Sequence, residues 1–209
     1  LAKLNRRFDF NRRASGLAHL SRYASTPYAD WNIPQTVLYG GIHDGLRDAD
    51  TAEPTGYALF VGRLLPHKGV LELISAISPD IPLRVVGRPY DEEYFAKLKT
   101  ASEGKQVTFF TSADDAELNA HYRDASVVIQ PSIPSEDSGF DRSELLGLVA
   151  IEGMSWGKPV IVTDTASLPE LMIDGSTGRI VPAGDPTALN NAITEFVTSP
   201  ALSREIGAQ

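Results

Sequence analysis

Two carboxylates, Glu144 and Glu152, are separated by seven residues, all apolar except Gly147. A core helix needs neither acid, and a surface helix is not this apolar between them. Upstream, FVGRLLPHKG (60–69) ends an apolar run at Gly62, places Arg63 just past it and sets Lys68 at the start of the next helical pattern. Two fixed cations at the carboxyl end of a strand, beside a helix N-terminus, suit a polyanion. The same two side chains can equally be solvated surface charges. The segment is not the dinucleotide fingerprint GxGxxG, and it reads Lys68-Gly69 where a Walker A loop needs Gly-Lys-Ser/Thr. Gly147 lets backbone approach a ligand closely. A helix from about residue 148 to 156 leaves the amides of Leu146, Gly147, Leu148 and Val149 directed at an anion. Glu144 then precedes the helix and Glu152 lies one turn inside it, at a rise of about 1.5 Å per residue. The two acids flank a bound diphosphate, one able to accept hydrogen bonds from a ribose and the other from a sugar.

The elements that must position these groups follow a regular alternation. YALFVG (57–62), LRVVG (83–87), VTFF (107–110), SVVIQ (126–130), PVIVT (159–163) and GRIVP (178–182) are short, continuously apolar runs. Between them lie helical patterns: KGVLELISAI, DEEYFAKLKTASEG closed by Gly104, DDAELNAHYRDA, the two-acid stretch itself, and finally DPTALNNAITEFV. Apolar strands alternating with helices imply an α/β fold, a doubly wound parallel sheet covered on both faces. Such Rossmann-like lobes bind ligands outside the carboxyl ends of their strands. Residues 44–56 are polar, acidic and marked by Pro and Gly, and read as a linker. TVLYGGI (36–42) reads as a strand of whatever precedes the lobe. The ending SREIGAQ falls within a helical pattern, and the chain opens on Leu, so both ends are expected to belong to something larger.

Composition narrows the classes. The chain has 209 residues, no cysteine, and a formal charge of −8. There is therefore no disulfide framework, thiolate metal site or cysteine nucleophile, which suits the cytosol. No apolar run is long enough for a membrane span, and the opening has no signal-peptide core. Residues 1–30 hold Lys3, Arg6, Arg7, Arg12, Arg13 and Arg22 against Asp9 and Asp30, a net +4 that leaves −12 elsewhere. That balance argues against nucleic acid. The basic opening can face an anionic membrane, a missing domain, or simply solvent.

GRLLPHKG, the Glu pair with seven residues between, GKPVIVTD, and LPELMIDGSTGRIVPAGDP occur in an order that resembles the retaining nucleotide-sugar glycosyltransferases of family 4. The resemblance covers about residues 57–197. It implies the GT-B architecture of two Rossmann-like lobes. Residues 57–209 would be the nucleotide-sugar-binding C-terminal lobe, 44–56 the linker, and 1–43 a remnant of the N-terminal acceptor lobe. It also implies that Arg63 and Lys68 hold the donor diphosphate, that Glu144 contacts hydroxyls of the transferred sugar, and that Glu152 binds the ribose. Arg63, Lys68 and Glu144 are then the catalytic candidates. Gly62 and the backbone of Leu146, Gly147 and Leu148 complete the donor site, with the nucleobase near Phe110–Ala113. The expected partners are a UDP- or GDP-linked hexose, the missing lobe and an acceptor carbohydrate or lipid-linked sugar. Neither a metal nor a cofactor is expected, and the location is the cytoplasm, at the inner membrane face if the basic opening binds lipid. This sequence departs from the family at Leu146, where relatives carry an aromatic, at Gly153, where they carry Ala, and in the longer loop PSIPSEDSGFDRS.

Other features have plainer readings. His19, His43, His67 and His121 lack metal-ligand spacing. Asp48-Ala-Asp50 imitates a metal-binding DxD but falls in the linker. No Gly-x-Ser-x-Gly elbow marks a hydrolase. Glu170 is read as a capping or loop-anchoring residue, and Met154 and Trp156 as core. Three functions stay open: a hexose-transferring donor lobe, a regulatory binding module that has lost catalysis, and a nucleotide-sugar epimerase or phosphorylase of the same architecture. The joint presence of Arg63, Lys68, Glu144 and Glu152 favours transfer.

Overall fold

The computed structural model describes residues 14–42, 56–134 and 144–209. All of the linker reading but Gly56, the DxD-like Asp48-Ala-Asp50, His43, five of the six cations of the basic opening and most of the long loop fall outside these residues.

Six parallel strands form one sheet in the order β5-β4-β3-β6-β7-β8. They are β3 (Ala58–Val61), β4 (Leu83–Val86), β5 (Val107–Phe110), β6 (Val127–Gln130), β7 (Val160–Thr163) and β8 (Gly178–Val181). The register pairs Ala58 with Leu83 on one side and with Val127 on the other. The strand order therefore reverses between β3 and β6, which makes that junction the switch point where an open parallel sheet leaves a crevice.

Both faces are covered, as continuously apolar strands require. On one face pack α2 (Val70–Ala76), α3 (Glu92–Ala101) and α6 (Pro186–Thr198), around Phe60, Leu73, Val85, Ile129 and Phe196. On the other lie α4 (Asp115–Asp124) and α5 (Leu148–Ser155), around Leu59, Tyr122, Val128, Trp156 and Val162. Trp156 and Met154 belong to this second core. The sequence signals explain the helix starts. Asp91, Asp114 and Asp185 each accept hydrogen bonds from amides of the turn that follows, and Asp114 with Glu117 forms a full capping box. A last helix, α7 (Pro200–Gly207), ends with Ala208 as its cap, so it stops short of the final residue.

The segment 14–42 makes a small unit of its own. β1 (Leu17–His19) pairs in parallel with β2 (Gln35–Val37), and α1 (Arg22–Ser25) lies between them. The strand expected over 36–42 is thus shorter and begins one residue earlier. The register ends at Val37, followed by one more bond from the Leu38 amide to the His19 carbonyl at 2.8 Å, and the Leu38 and Tyr39 side chains are exposed.

Candidate functional site

The carboxyl ends of β3 and β6 carry the candidate residues. After β3 the chain passes Arg63 and turns through Pro66–Lys68, a single 3₁₀ turn capped by Gly69 in the left-handed region at φ 70°. A Cβ on Gly69 would lie 1.8 Å from the carbonyl oxygen of Pro131, so only glycine lets this turn press against the end of β6. That approach places Lys68 beside Glu144. Their side chains form an ion pair, 19% and 13% exposed, and Ser132 Oγ donates to the same Glu144 oxygen at 3.2 Å. Lys68 therefore ends a turn rather than opening a helix, which starts two residues later.

The backbone at Glu144 is held separately. Its carbonyl accepts from Ser167 Oγ at 2.7 Å and from the Ser167 amide at 3.3 Å. Ser167 follows Ala166, the single non-glycine residue with positive φ among the described residues, at 54°.

α5 begins as the spacing predicts. Gly147 is its N-cap at φ 88°, and a Cβ there would meet Leu168 at 2.7 Å and Leu171 at 2.9 Å. The buried Gln130 at the end of β6 accepts from the Ala150 amide at 3.2 Å. Among the described residues nothing accepts from the amides of Gly147, Leu148 and Val149, which is the arrangement that suits an anion. Leu148 is exposed there.

Glu152 occupies a different setting on the same helix. It accepts a hydrogen bond from the Tyr122 hydroxyl at 2.6 Å. Tyr122 is buried, and burial, then the nearby Glu152 charge, push its hydroxyl far above the ordinary phenol range. It stays a proton donor at any physiological pH and orients the Glu152 carboxylate.

Arg63 does not join the Lys68 pair. It is exposed on a cleft of about 240 Å³ that opens over the ends of β3, β4 and β5. Gly62, Arg88, Tyr90, Phe110, Thr111 and Ala113 also line it, so the expected nucleobase loop and the expected diphosphate arginine share one cavity. A larger cavity of about 290 Å³ lies between α2 and α6 and is lined by none of the candidate residues.

Several contributors escape the sequence reading. Arg88 and Tyr90 lie beyond β4, where nothing marks them as cleft residues. Gln130 carried a usable signal, since a polar side chain closing an apolar strand run is out of place. Tyr122 carried none, because a tyrosine on an amphipathic helix reads as core. Among the described residues no three His, Asp or Glu side chains converge to hold a metal ion. No helix among them is long and apolar enough to cross a membrane.

Comparison with known proteins bears on the family and the fold. A family model described as glycosyl transferases group 1 matches residues 47–209. An uncharacterised glycosyltransferase of Methanocaldococcus jannaschii is 30% identical over 177 residues, covering 82% of this chain and 46% of that protein. The phosphatidyl-myo-inositol mannosyltransferase of Mycobacterium leprae is 31% identical over 153 residues, 69% of this chain and 38% of that protein. The chain thus spans less than half the length of these curated relatives. Among solved structures, HepE from Anabaena in complex with UDP and glucose superposes with a TM-score of 0.78 at 21% identity, covering 99% of this chain and 60% of HepE.

Proposed function

Because the chain belongs to the glycosyl transferases group 1 family, we propose that it is the donor-binding lobe of a metal-independent, retaining hexosyltransferase that moves a sugar from a nucleoside diphosphate to an acceptor hydroxyl. The observation that carries this reading is the convergence of Lys68, Ser132 and Glu144 beside the unpaired amides that open α5. A diphosphate laid across that helix start meets the free amides, with Lys68 on one side and Arg63 at the cleft on the other. Glu144 then faces the sugar, and Glu152, held by Tyr122, accepts from the ribose. The base occupies the cleft over Phe110–Ala113. A UDP- or GDP-linked hexose is the donor, in keeping with a relative named as a mannosyltransferase and a structural neighbour solved with UDP and glucose.

The roles divide by chemistry. Lys68, Arg63 and the helix dipole stabilise charge that accumulates on the departing diphosphate, so neither a metal nor an organic cofactor is needed. Glu144 orients the transferred sugar through its hydroxyls. The acceptor is a carbohydrate or lipid-linked sugar held by the N-terminal lobe, of which residues 1–43 are a remnant, and 44–56 link the two. These 209 residues bind donor but do not transfer, because the opposite wall of the cleft is needed to exclude water. The reaction is cytoplasmic, at the inner membrane face where the basic opening meets anionic lipid.

A thermal-shift panel of UDP, GDP, ADP and their sugars tests the reading, followed by turnover of the full-length protein in EDTA with the product anomer read by NMR. Stabilisation by one nucleotide family and retention of configuration are expected. Failure of every nucleotide to bind removes the donor-lobe reading, and inversion of the anomer removes the retaining mechanism.

A further inference from the structure

Glu170 sits in the 3₁₀ turn Leu168–Leu171 after β7 and is not a member of the cleft. Its carboxylate accepts three hydrogen bonds from a stretch of chain more than a hundred residues upstream. The amides of Arg22 and Tyr23 donate at 2.8 and 2.7 Å, and the Tyr39 hydroxyl at 2.8 Å. Burial alone would raise this carboxyl, but the amides of Tyr23 and Arg22 and the Tyr39 phenol outweigh it and hold the group below the usual carboxylate range. The contact is specific in form: beside the Ser21 cap, one carboxylate takes the first two amides of α1 and also grips the chain just beyond β2.

The turn that carries Glu170 is the same turn that supports the proposed donor site. Ser167, three residues earlier, holds the Glu144 carbonyl with its hydroxyl and its amide. Leu168 and Leu171 close around Gly147, the first residue of the helix start. A second contact lies nearby. Gly40 approaches Leu146 so closely that a Cβ on it would be 2.7 Å from Leu146 Cδ2. The 14–42 unit therefore touches the sheet lobe through Glu170 and through Leu146. Leu146 is covalently next to Gly147, and Glu170 acts one turn away through Ser167.

We infer that Glu170 is a positioning residue that couples docking of the 14–42 unit to the geometry of the α5 amino end, so that the lobe binds a nucleoside diphosphate fully only while that unit is docked. The second half of this inference rests on the donor-site reading. Coupling of this kind is reciprocal: if docking favours the nucleotide, the nucleotide favours docking by the same factor.

The test uses the full-length protein with Glu170→Ala and, as a milder variant, Tyr39→Phe, which keeps the carboxylate. Amide exchange at Arg22 and Tyr23 without ligand reads docking, and calorimetry with UDP and GDP reads the site. Glu170→Ala is expected to accelerate exchange at both amides about tenfold or more, as loss of charge-assisted bonds implies. It should also weaken whichever nucleotide binds, by about threefold to tenfold. Tyr39→Phe should move both readouts in the same direction by less, and saturating nucleotide should slow exchange at Arg22 and Tyr23 in the unsubstituted protein. Unchanged exchange in Glu170→Ala overturns the docking role. Accelerated exchange with unchanged nucleotide affinity overturns the coupling and leaves Glu170 a simple tether. Should the unsubstituted protein bind neither nucleotide, the donor-site reading and the coupling fall together, while the exchange result still decides docking.

Discussion

The two acids that flank the start of α5 are chemically identical and are held in opposite ways. Glu144 precedes the helix, and its charge is met by the Lys68 ammonium. Glu152 lies within the helix, and its partner is the neutral hydroxyl of a buried tyrosine. The difference separates two tasks. Under the proposed donor reading, a diphosphate that competes for the lysine would remodel the ion pair and release the carboxylate toward the sugar. A carboxylate held by a buried phenol keeps a fixed direction, which under the same reading suits the ribose hydroxyl common to every nucleotide donor.

Removing the cation is the most severe way to break that contrast. Lys68→Ala takes away a charge-assisted bond to the ligand, worth about 1.5–3 kcal/mol, and strands a largely buried Glu144. Nucleoside diphosphate affinity measured by calorimetry should fall about tenfold or more. Unchanged affinity would show that the pair is structural.

A pair of isosteric substitutions sharpens the contrast. Glu152→Gln should weaken the bare nucleotide and the nucleotide sugar alike, by up to about tenfold, since both contain the ribose. Glu144→Gln should spare the bare nucleotide and weaken only the sugar-bearing donor. Equal losses of bare-nucleotide affinity in the two variants would mean that the acids do not divide the ligand in this way.

Tyr122→Phe addresses the Glu152 side alone. The ring stays in its core position, and one hydrogen bond is lost, so stability should drop by roughly 1–2 kcal/mol in urea unfolding. Nucleotide affinity should fall by a few-fold, with no added penalty for the sugar. A selective loss of the sugar-bearing donor would place Tyr122 on the wrong side of the comparison.

The smallest effect belongs to the support of Glu144. Ala166 holds positive φ just before Ser167, and glycine removes the Cβ penalty of about 1–2 kcal/mol there while adding unfolded-chain freedom of roughly 0.4–1 kcal/mol. Ala166→Gly should leave the melting temperature unchanged or raise it by a few degrees, with affinity preserved. A clear drop would mean that the strain at Ala166 is compensated elsewhere.

The sheet was legible from the residues, because continuously apolar strands and capped helices depend on local pattern. Each of the six runs became a strand, and the helix starts at Asp91, Asp114 and Asp185 follow their capping side chains. The extent of β2 was not, since its partner β1 ends at His19, and beyond the Leu38 amide bonded to it the apolar run has no paired strand among the described residues. In the site, the spacing of Glu144, Gly147 and Glu152 located the helix start to the residue. The partners came from tertiary proximity that no spacing encodes: Tyr122 arrives from another helix, Ser132 from beyond β6, and Arg88 with Tyr90 from beyond β4. Glu170 was legible as a residue that anchors a loop, but not as one whose partners lie in the 14–42 unit.

The reversal of strand order at β3 and β6 also bears on how Lys68 comes to meet Ser132 and Glu144. Ala58 meets Leu83 across 25 residues of chain but meets Val127 across 69. Loop-closure entropy makes the longer join costlier by about 0.9 kcal/mol, before any contact repays it. Within each three-stranded half every strand is joined to its neighbour by a shorter connection, whereas the meeting of Lys68 with Ser132 and Glu144 requires the halves to find each other. The cleft beside Arg63 lies wholly on the β3-β4-β5 half, whereas that cluster is a property of the seam. A ligand bound there adds its free energy to the join of highest contact order, guarding the chain against coming apart into two separately plausible pieces.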